Sequence, residues 1–214
     1  MVSHELRTPL TSIIGFAQTV QRIPMGNKQQ KEYITIIENE GKHLSSLIEE
    51  YLDISKIESG NFSLSIETIN IRELIEEIVD RSPWLKNILL NTDEGTRIIS
   101  VDKMRLKRVL NNLFENAVRY GGKDVQIFVQ LSYKLHSIQI IISDTGPGIA
   151  PEMIEKIFKK FFRGNTNSRG SGLGLTIAKA IIEEHGGTIH YDSQQSKGAT
   201  FVIELPYTFG GKIV

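Results

Sequence analysis

The sequence predicts an α+β protein in which an N-terminal helical hairpin precedes an α/β sandwich with a mixed, largely antiparallel sheet. Two observations lead to this fold class. The first sixty residues carry apolar residues at three- and four-residue spacings, which is typical of amphipathic helices. The remaining chain mixes strand-like alternation with helices that can cover one face of a sheet. We therefore expect a helical domain over residues 1–60 and a second domain over residues 61–214.

Composition excludes several classes of function. The 214 residues include 25 Lys plus Arg and 25 Asp plus Glu, so the formal charge is zero. A neutral chain lacks the basic surface of a general nucleic-acid binder, and we expect no nucleic-acid partner. The absence of cysteine excludes disulfides and thiolate metal sites. No apolar stretch approaches the roughly 20 residues of a membrane span, so we expect no membrane contact by this chain.

Two helices are predicted in the first region, over Ser3–Ile23 and Lys28–Ser59, with a turn at Pro24–Asn27. A lone helical hairpin buries little surface, so its apolar stripe needs a partner. A second copy would complete a dimeric four-helix bundle, whereas the alternative is packing on the rest of the same chain. The stripe on the second helix consists of Tyr33, Ile36, Ile37, Leu44, Leu47, Ile48, Tyr51, Ile54 and Ile57.

The second region alternates between the two periodicities. Helical spacing predicts three helices, and two-residue alternation predicts four strands. Gly186 and Gly187 follow the last helix as a C-terminal cap. The predicted helices are Ile71–Val79, Asp102–Tyr120 and Thr176–Glu184, and the predicted strands are Val125–Tyr133, Ile138–Ile142, Thr188–Tyr191 and Thr200–Leu205.

A histidine beside a carboxylate stands at the start of the first helix. His4 and Thr8 lie one helical turn apart, and Glu5 flanks His4. Neutral imidazole is a competent nucleophile, and a neighbouring carboxylate can orient it and accept its proton. Pro9 cannot donate to the Glu5 carbonyl, so we expect the helix to be kinked or loosened there. The plain alternative is an exposed helical histidine near a chance proline.

Two amides and a guanidinium share one stripe of the predicted helix Asp102–Tyr120. At about 100° per residue, Asn112, Asn116 and Arg119 fall on one narrow face beside an apolar stripe. Amide oxygens can ligate Mg²⁺, and a guanidinium can bind phosphate. A surface stripe of amides is the alternative, and the pattern alone does not decide between them.

An aspartate and two glycines, Asp144, Gly146 and Gly148, directly follow a predicted strand. The glycines let backbone approach a planar ligand, and the carboxylate can accept a hydrogen bond from an exocyclic amine. These are also the commonest turn residues, so an ordinary turn is the alternative.

The segment Gly170–Leu175 is rich in glycine and opens the last predicted helix, which is a suitable place for an anion. It matches neither a dinucleotide fingerprint nor a Walker A loop, so we expect a different nucleotide fold. We interpret the polar segment before it, Arg163–Arg169, as a lid over the nucleotide site. Phe158, Phe161 and Phe162 precede the lid, and we interpret their rings as core packing.

In this order, the motifs resemble those of the sensor histidine kinases of two-component systems. The resemblance runs from residue 3 to about residue 206. Ser3–Leu10 is similar to the H box, Asn112–Tyr120 to the N box, Asp144–Ile149 to the first glycine box, Ile157–Arg163 to the F box, and Gly170–Leu175 to the second glycine box.

The resemblance implies a histidine-phosphotransfer hairpin, an ATP-binding domain of the Bergerat type, and a role for each matching residue. His4 would be the phosphoacceptor, Glu5 its base, and Thr8 the residue that positions water for dephosphorylation of a partner. In the ATP site, Asn116 would ligate Mg²⁺ with help from Asn112, and phosphate would be contacted by Arg119 and Arg163. Adenine would be contacted by Tyr120 and Asp144, in a pocket shaped by Gly146 and Gly148. The phosphate side of the lid would be formed by Gly170, Ser171, Gly172, Leu173 and Gly174.

The implied activity is Mg²⁺- and ATP-dependent autophosphorylation of His4 in a homodimer, followed by transfer to an aspartate of a response regulator and dephosphorylation of that regulator. An alternative is a kinase-inactive, nucleotide-binding scaffold or phosphatase. Related ATPases carry a glutamate four residues before the metal-binding asparagine, where this chain has Asn112. Because an amide is no general base, the resemblance disfavours a third possibility, an ATPase.

One departure from the family concerns the position of His4. In the family, about two turns of helix normally precede this histidine, whereas here it is the fourth residue. We expect the chain to be the cytoplasmic portion of a longer protein, with a sensor module and, in some family architectures, a membrane anchor outside it. The other histidines, His43, His136, His185 and His190, receive no role from the sequence.

Overall fold

The computed structural model describes residues 2–93, 95, 97–122, 124–164, 170–193 and 197–208. The chain forms two compact units, Met1–Asn61 and Phe62–Val214, and each is described by itself.

The first unit is a helical hairpin, as predicted. Helix α1 spans Val2–Arg22 and helix α2 spans Asn27–Glu58. The rings of Phe16 and Tyr33 pack across the hairpin with centroids 5.1 Å apart. Helix α1 continues through Pro9, and a kink at that residue stays a prediction.

The apolar surface of the hairpin is only partly buried within one chain. On the predicted stripe of α2, Leu47 and Ile54 are buried, whereas Ile48 is 45% exposed. A large apolar side chain in water forgoes about 1.5–3 kcal/mol of burial free energy, so this surface favours a partner. The exposed large apolar side chains of the hairpin are Leu10, Ile14, Ile23, Ile34, Ile48 and Leu52.

The second unit contains four helices and seven strands within its described residues. The helices are α3 (Ile71–Asp80), α4 (Lys103–Gly121), α5 (Pro151–Ile154) and α6 (Gly174–Glu184), with a 3₁₀ turn at Leu85–Asn87. The strands are β1 (Glu67–Asn70), β2 (Ile88–Thr92), β3 (Ile98–Val101), β4 (Ile127–Tyr133), β5 (Ser137–Asp144), β6 (Thr188–Tyr191) and β7 (Thr200–Pro206).

Five strands form the main sheet, in the order β2-β4-β5-β7-β6. The β2–β4 pair is parallel and the other three pairs are antiparallel, so the predicted fold class is confirmed. Along β4, Ile127, Val129 and Leu131 are buried whereas Phe128 and Gln130 are exposed. This alternation gives the sheet one apolar face, and buried residues of α3, α4 and α6 supply the rest of the core.

The sequence missed β1, β2, β3 and the short helix α5. Strands β1 and β3 pair antiparallel with each other, and Ile98 of β3 is exposed. Strand β2 is held by parallel pairing with β4, from Ile88 opposite Ile127 to Thr92 opposite Leu131. Parallel partners lie far apart in sequence, and a local pattern does not reveal them.

Two buried polar side chains, Asp102 and His185, join the start of α4 to the end of α6. Nδ1 of His185 lies 2.7 Å from the Ile181 carbonyl oxygen, and Nε2 accepts the Asp102 N–H at 2.9 Å. The Asp102 carboxylate caps α4 by accepting the Arg105 N–H at 3.0 Å and also accepts the Ser65 N–H at 2.8 Å. This hydrogen-bond pattern assigns a neutral ring with its proton on Nδ1.

Among the residues that the structure describes, no helix is both long enough and apolar enough to cross a membrane.

Burial lowers the pKa of His185 below its ordinary value of 6.5, against the opposing effects of the Ile181 hydrogen bond and the charges of Asp102 and Glu184. We expect the free energy of unfolding to fall as the pH drops through 6.5, because the unfolded chain then takes up a proton that the folded chain excludes. The slope contributed by one site is at most about 1.4 kcal/mol per pH unit. Urea unfolding measured from about pH 7.5 to about pH 5.5 tests this expectation.

The His185→Gln variant should lose this part of the pH dependence, since glutamine does not titrate. The control is His190→Gln, because His190 is exposed on β6 and should leave the slope unchanged. Equal slopes in His185→Gln and the parent chain would contradict the prediction.

Candidate active site

Helix α4 presents the predicted amides and guanidinium beside its buried face. Leu106, Leu110, Leu113, Phe114 and Ala117 are buried in the core. The side chains next to them lie at the edge of that core: Asn112 and Asn116 are half-buried, and Arg119 and Tyr120 are exposed. The helical spacing thus produces the polar stripe that the sequence predicted.

Two guanidinium groups meet the glycine-rich segment at Gly170. Nη1 of Arg163 donates to the Gly170 carbonyl oxygen at 2.9 Å. A Cβ added to Gly170 would lie 2.5 Å from Nη1 of Arg119, and Gly170 has a φ of +136° that favours glycine. Two fixed positive charges beside glycine backbone are suited to an anion such as phosphate.

Asn112 meets the other end of the same segment, at Gly174. A Cβ added to Gly174 would overlap the Asn112 side-chain oxygen, so the amide packs directly on the glycine at the start of α6. Nδ2 of Asn112 is buried and makes no hydrogen bond among the described residues. A buried amide without a partner costs about 1–3 kcal/mol, which a polar ligand can offset.

Asp144 at the end of β5 is held by two backbone donors. Its Oδ1 accepts the Gly146 N–H at 2.7 Å and the Ala199 N–H at 3.1 Å. Burial raises the pKa of Asp144, and these two hydrogen bonds oppose the rise. Both of these bonds end on Oδ1, so Oδ2 can accept a hydrogen bond from a ligand.

Glycine backbones crowd around Asp144. A Cβ on Gly146 would lie 2.8 Å from Asp144 Oδ1 and 3.1 Å from the Gly121 Cα at the end of α4. A Cβ on Gly198 would overlap the Asp144 carbonyl oxygen, and one on Gly148 would lie 2.9 Å from the Gly198 carbonyl oxygen. The end of α4, the Asp144 loop and the loop before β7 therefore form one close-packed backbone cluster.

A backbone hydrogen bond joins the segments on either side of the predicted lid. The N–H of Phe161 donates to the Gly172 carbonyl oxygen at 3.0 Å, and Phe161 has a φ of +63°, which is rare for a bulky residue. Ser171 is buried and its Oγ accepts the N–H of Leu173, which is fully buried. Of the predicted lid Arg163–Arg169, residues 165–169 lie outside the described residues.

The predicted phosphoacceptor, His4, is exposed on α1. Oγ1 of Thr8 donates to the His4 carbonyl oxygen at 3.2 Å. Burial, and after it the charges of Glu5 and Glu50, raise the pKa of the Tyr51 hydroxyl on α2. The Glu5 carboxylate, next to His4, is therefore close enough to Tyr51 to interact with it across the hairpin.

The structure brings together most of the predicted nucleotide-site residues. Asn112 and Arg119 of α4 contact the segment that runs from Gly170 to Gly174, and Gly121 of the same helix contacts Gly146. Asn116 lies on the same stripe between Asn112 and Arg119 and is half-buried.

Sequence reasoning missed Gly198 and Ala199, which pack on Asp144 from the loop before β7, and it assigned no role to His185. A Gly-Ala pair just before a strand was visible, but its contact with Asp144 spans 55 positions. Long-range contacts of this kind leave no local pattern.

The residues that are present fit Mg²⁺-ATP. The cluster offers a carboxylate oxygen for an exocyclic amine, glycine backbone beside it, two guanidinium groups for phosphate, and the buried Asn112 Nδ2, which has no hydrogen bond within the described part of the chain. Amide oxygens suit Mg²⁺, which usually keeps phosphate and water among its ligands.

Gly198→Ala should destabilise the domain more than an alanine substitution at a glycine with similar φ and open space around it. Gly122 is the matched control, because its φ of +84° is close to the +77° of Gly198 while a Cβ on Gly122 meets nothing within 4 Å. We expect Gly198→Ala to lower the free energy of unfolding by about 1–3 kcal/mol more than Gly122→Ala does. Equal losses in urea unfolding would show that the contact with Asp144 is not tight.

Comparison with known families gives two matches. Residues 1–60 match the model of the His Kinase A (phospho-acceptor) domain. Residues 101–208 match the model of the histidine kinase-, DNA gyrase B- and HSP90-like ATPase. The second match covers half of the chain, and together the two include all of the predicted site residues.

Individual relatives agree. The chain is 34% identical to the sensor protein SrrB of Staphylococcus aureus over 214 residues, which is 96% of this chain and 37% of SrrB. It spans between 29% and 42% of the curated relatives that it matches.

Two solved structures are similar. Full-length ShkA in complex with AMPPNP has a TM-score of 0.75 and 26% identity, covering 98% of this chain and 45% of ShkA. The histidine kinase ThkA in complex with the response regulator protein TrrA has a TM-score of 0.73 and 29% identity, covering 99% of this chain and 61% of ThkA. The chain belongs to the sensor histidine kinase family.

Proposed function

We propose that this chain is the catalytic part of a protein-histidine kinase that uses ATP to phosphorylate His4. The observation that carries the proposal is the convergence of α4 on the glycine-rich segment, with Arg119 at Gly170 and Asn112 at Gly174. This convergence supports a phosphate-binding site in a domain whose family binds ATP. The exposed His4, in a phospho-acceptor domain, supports the choice of acceptor.

Asp144 and its neighbours are proposed to bind adenine. Oδ2 of Asp144 would accept the exocyclic amine, while the N–H groups of Gly146 and Ala199 hold Oδ1 in place. Gly146 and Gly148 would shape the pocket, and the exposed ring of Tyr120 would pack on the base. Fixed donors and a rigid backbone support this role because they preorganise the carboxylate.

The opposite end of the site is proposed to hold the phosphates and Mg²⁺. Asn116 would be the principal metal ligand and Asn112 would assist it, while Arg119 and Arg163 would contact phosphate beside the backbone of residues 170–174. When bound, Mg²⁺ would neutralise charge on the phosphates during transfer. The catalytic contribution of the chain is then mainly positioning and charge stabilisation.

At His4, a ring nitrogen would form the new N–P bond as the bond between the γ-phosphorus and ADP breaks. Glu5 would accept the proton that the ring loses, since its carboxylate adjoins His4 in sequence. Exposure of His4 supports this role because the acceptor must be reached by a large donor.

Asn112 supports transfer over hydrolysis. An amide at this position cannot deprotonate water at neutral pH, so bound ATP is spared for His4. A kinase-inactive scaffold is the second candidate in principle, but no observation favours it, since His4, Asn116 and Asp144 are all present.

The phosphoryl group is proposed to pass to an aspartate of a response regulator, the class of protein that accompanies ThkA in its complex. The chain is also proposed to dephosphorylate that regulator. Thr8 donates its proton to the His4 carbonyl, which leaves its oxygen lone pairs to orient water. We place this portion in the cytoplasm, where ATP is supplied.

Residues 1–60 are proposed to serve dimerisation and phosphotransfer, and residues 61–214 to bind ATP. A second copy of the hairpin would cover the exposed apolar side chains of α1 and α2 and complete a four-helix bundle. The chain spans about a third of its curated relatives, so a sensor region is proposed to lie outside it.

Incubation with γ-labelled ATP tests the activity. We expect the chain to become labelled in the presence of Mg²⁺, with a label that is acid-labile, and to remain unlabelled when Mg²⁺ is chelated. The His4→Gln variant should retain no label while its ATP affinity stays within about twofold, since His4 is exposed. His43→Gln, at another exposed helical histidine, should be labelled normally.

Persistent label in His4→Gln would contradict the acceptor assignment. ATP binding without label would favour the scaffold, and release of free phosphate over many turnovers would favour an ATPase.

Ile48→Glu should weaken the dimer, because it puts a charge on the exposed apolar face of α2. A buried unpaired carboxylate costs several kcal/mol, so we expect at least about a tenfold rise in the dimer dissociation constant. Analytical ultracentrifugation measures this constant. Ser46→Glu adds the same charge at an exposed polar position of α2 and is the control. Equal effects of the two substitutions would argue against this face as the interface.

A further inference from the structure

We propose that His185 is a positioning residue for the nucleotide site, because it fixes α4 against α6 and thereby the place of the Asn112 side chain. The inference rests on the proposed assignment of Asn112 to that site. His185 lies outside the predicted motifs, and no sequence pattern singles it out.

Two polar contacts connect α4 and α6. At one end, the buried His185 ring accepts the Asp102 N–H at 2.9 Å, directly before α4 begins. At the other end, the Asn112 amide packs on the Gly174 Cα, where α6 begins. The helices therefore run antiparallel and are held at two separate points.

The two contacts span nearly equal lengths of helix. Positions 102 and 112 are ten residues apart on α4, and positions 174 and 185 are eleven apart on α6. At about 1.5 Å per residue these spans are about 15 Å and about 16.5 Å. Sliding one helix along the other would break at least one of these contacts, so the His185 contact restrains the position of Asn112.

Apolar packing constrains this position with less directional preference than the hydrogen bond does. Leu106 and Leu110 on α4 and Ile177 and Ile181 on α6 are buried, but hydrophobic burial is non-directional. The Asp102–His185 hydrogen bond is directional, and its loss leaves a buried N–H that the helices can satisfy only by moving.

Two substitutions of His185 test the two ring nitrogens one at a time. In His185→Gln, the side-chain oxygen reaches the position of Nε2 and can still accept the Asp102 N–H. In His185→Asn, the amide reaches only the position of Nδ1, so it can donate to Ile181 but loses Asp102. Each variant therefore keeps one of the two contacts of the ring, Asp102 in His185→Gln and Ile181 in His185→Asn, and neither variant titrates.

Two measurements on the whole chain follow the position of Asn112. One is the NMR signal of its side-chain amide without ligand, assigned with Asn112→Asp. The other is the affinity for AMPPNP with Mg²⁺. We expect His185→Asn to shift the signal and weaken AMPPNP about tenfold, a typical effect of losing an outer positioning contact. His185→Gln should leave the signal in place and keep the affinity within about twofold.

Ile138→Val is the control for stability, since it trims a buried side chain on β5 that takes part in neither of the two helix contacts. It should leave the Asn112 signal and the AMPPNP affinity unchanged. An unmoved signal in His185→Asn, or equal losses of affinity in His185→Asn and Ile138→Val, would overturn the proposal. A shifted signal with unchanged affinity would also overturn it, and would locate the error in the assignment of Asn112 to the nucleotide site.

Discussion

The hydrogen bonds at Asp102 set the position of the helix that carries the site. The Asp102 carboxylate accepts the N–H groups of Arg105 and Ser65, and its own N–H donates to His185. One residue thus caps α4, holds the chain ahead of β1 and ties α4 to the end of α6. Because Asp102 and His185 are buried, losing one of these bonds leaves a polar group with little access to water. The residues of α4 that line the candidate site, from Asn112 to Gly121, therefore depend on this capping network for their position.

A second constraint is the close approach of backbone to side chain at the glycines. Gly174 leaves room for the Asn112 amide, Gly170 for the Arg119 guanidinium, and Gly198 for the Asp144 carbonyl. A β-carbon at any of these positions would occupy space that the polar groups now fill. The glycines therefore let segments that are distant in sequence pack closely, residues 170–174 against α4 and the loop before β7 against the end of β5.

Much of this architecture was predictable because it is encoded locally. Periodicity located α1, α2, α4, α6 and the strands of the β4–β5 hairpin to within about two residues, which is the usual uncertainty of element ends. Strand β2 was not predicted, because what defines it is its pairing with the distant strand β4. Gly198 and His185 escaped for the same reason, since each acts through a residue more than fifty positions away. The motifs therefore predicted which residues carry chemistry, whereas the contacts that hold them in place required the structure.

Asp144 shows how the fold and the proposed ligand depend on each other. Burial raises the pKa of its carboxyl, whereas the Gly146 and Ala199 N–H groups favour the ionised form. Burial wins, so the folded domain carries a carboxylate whose charge is incompletely compensated. An exocyclic amine that donates to Oδ2 would supply part of the missing compensation at this half-buried carboxylate. Such a ligand would stabilise the folded state as well as fill the pocket, because it binds a carboxylate whose burial the fold has already imposed.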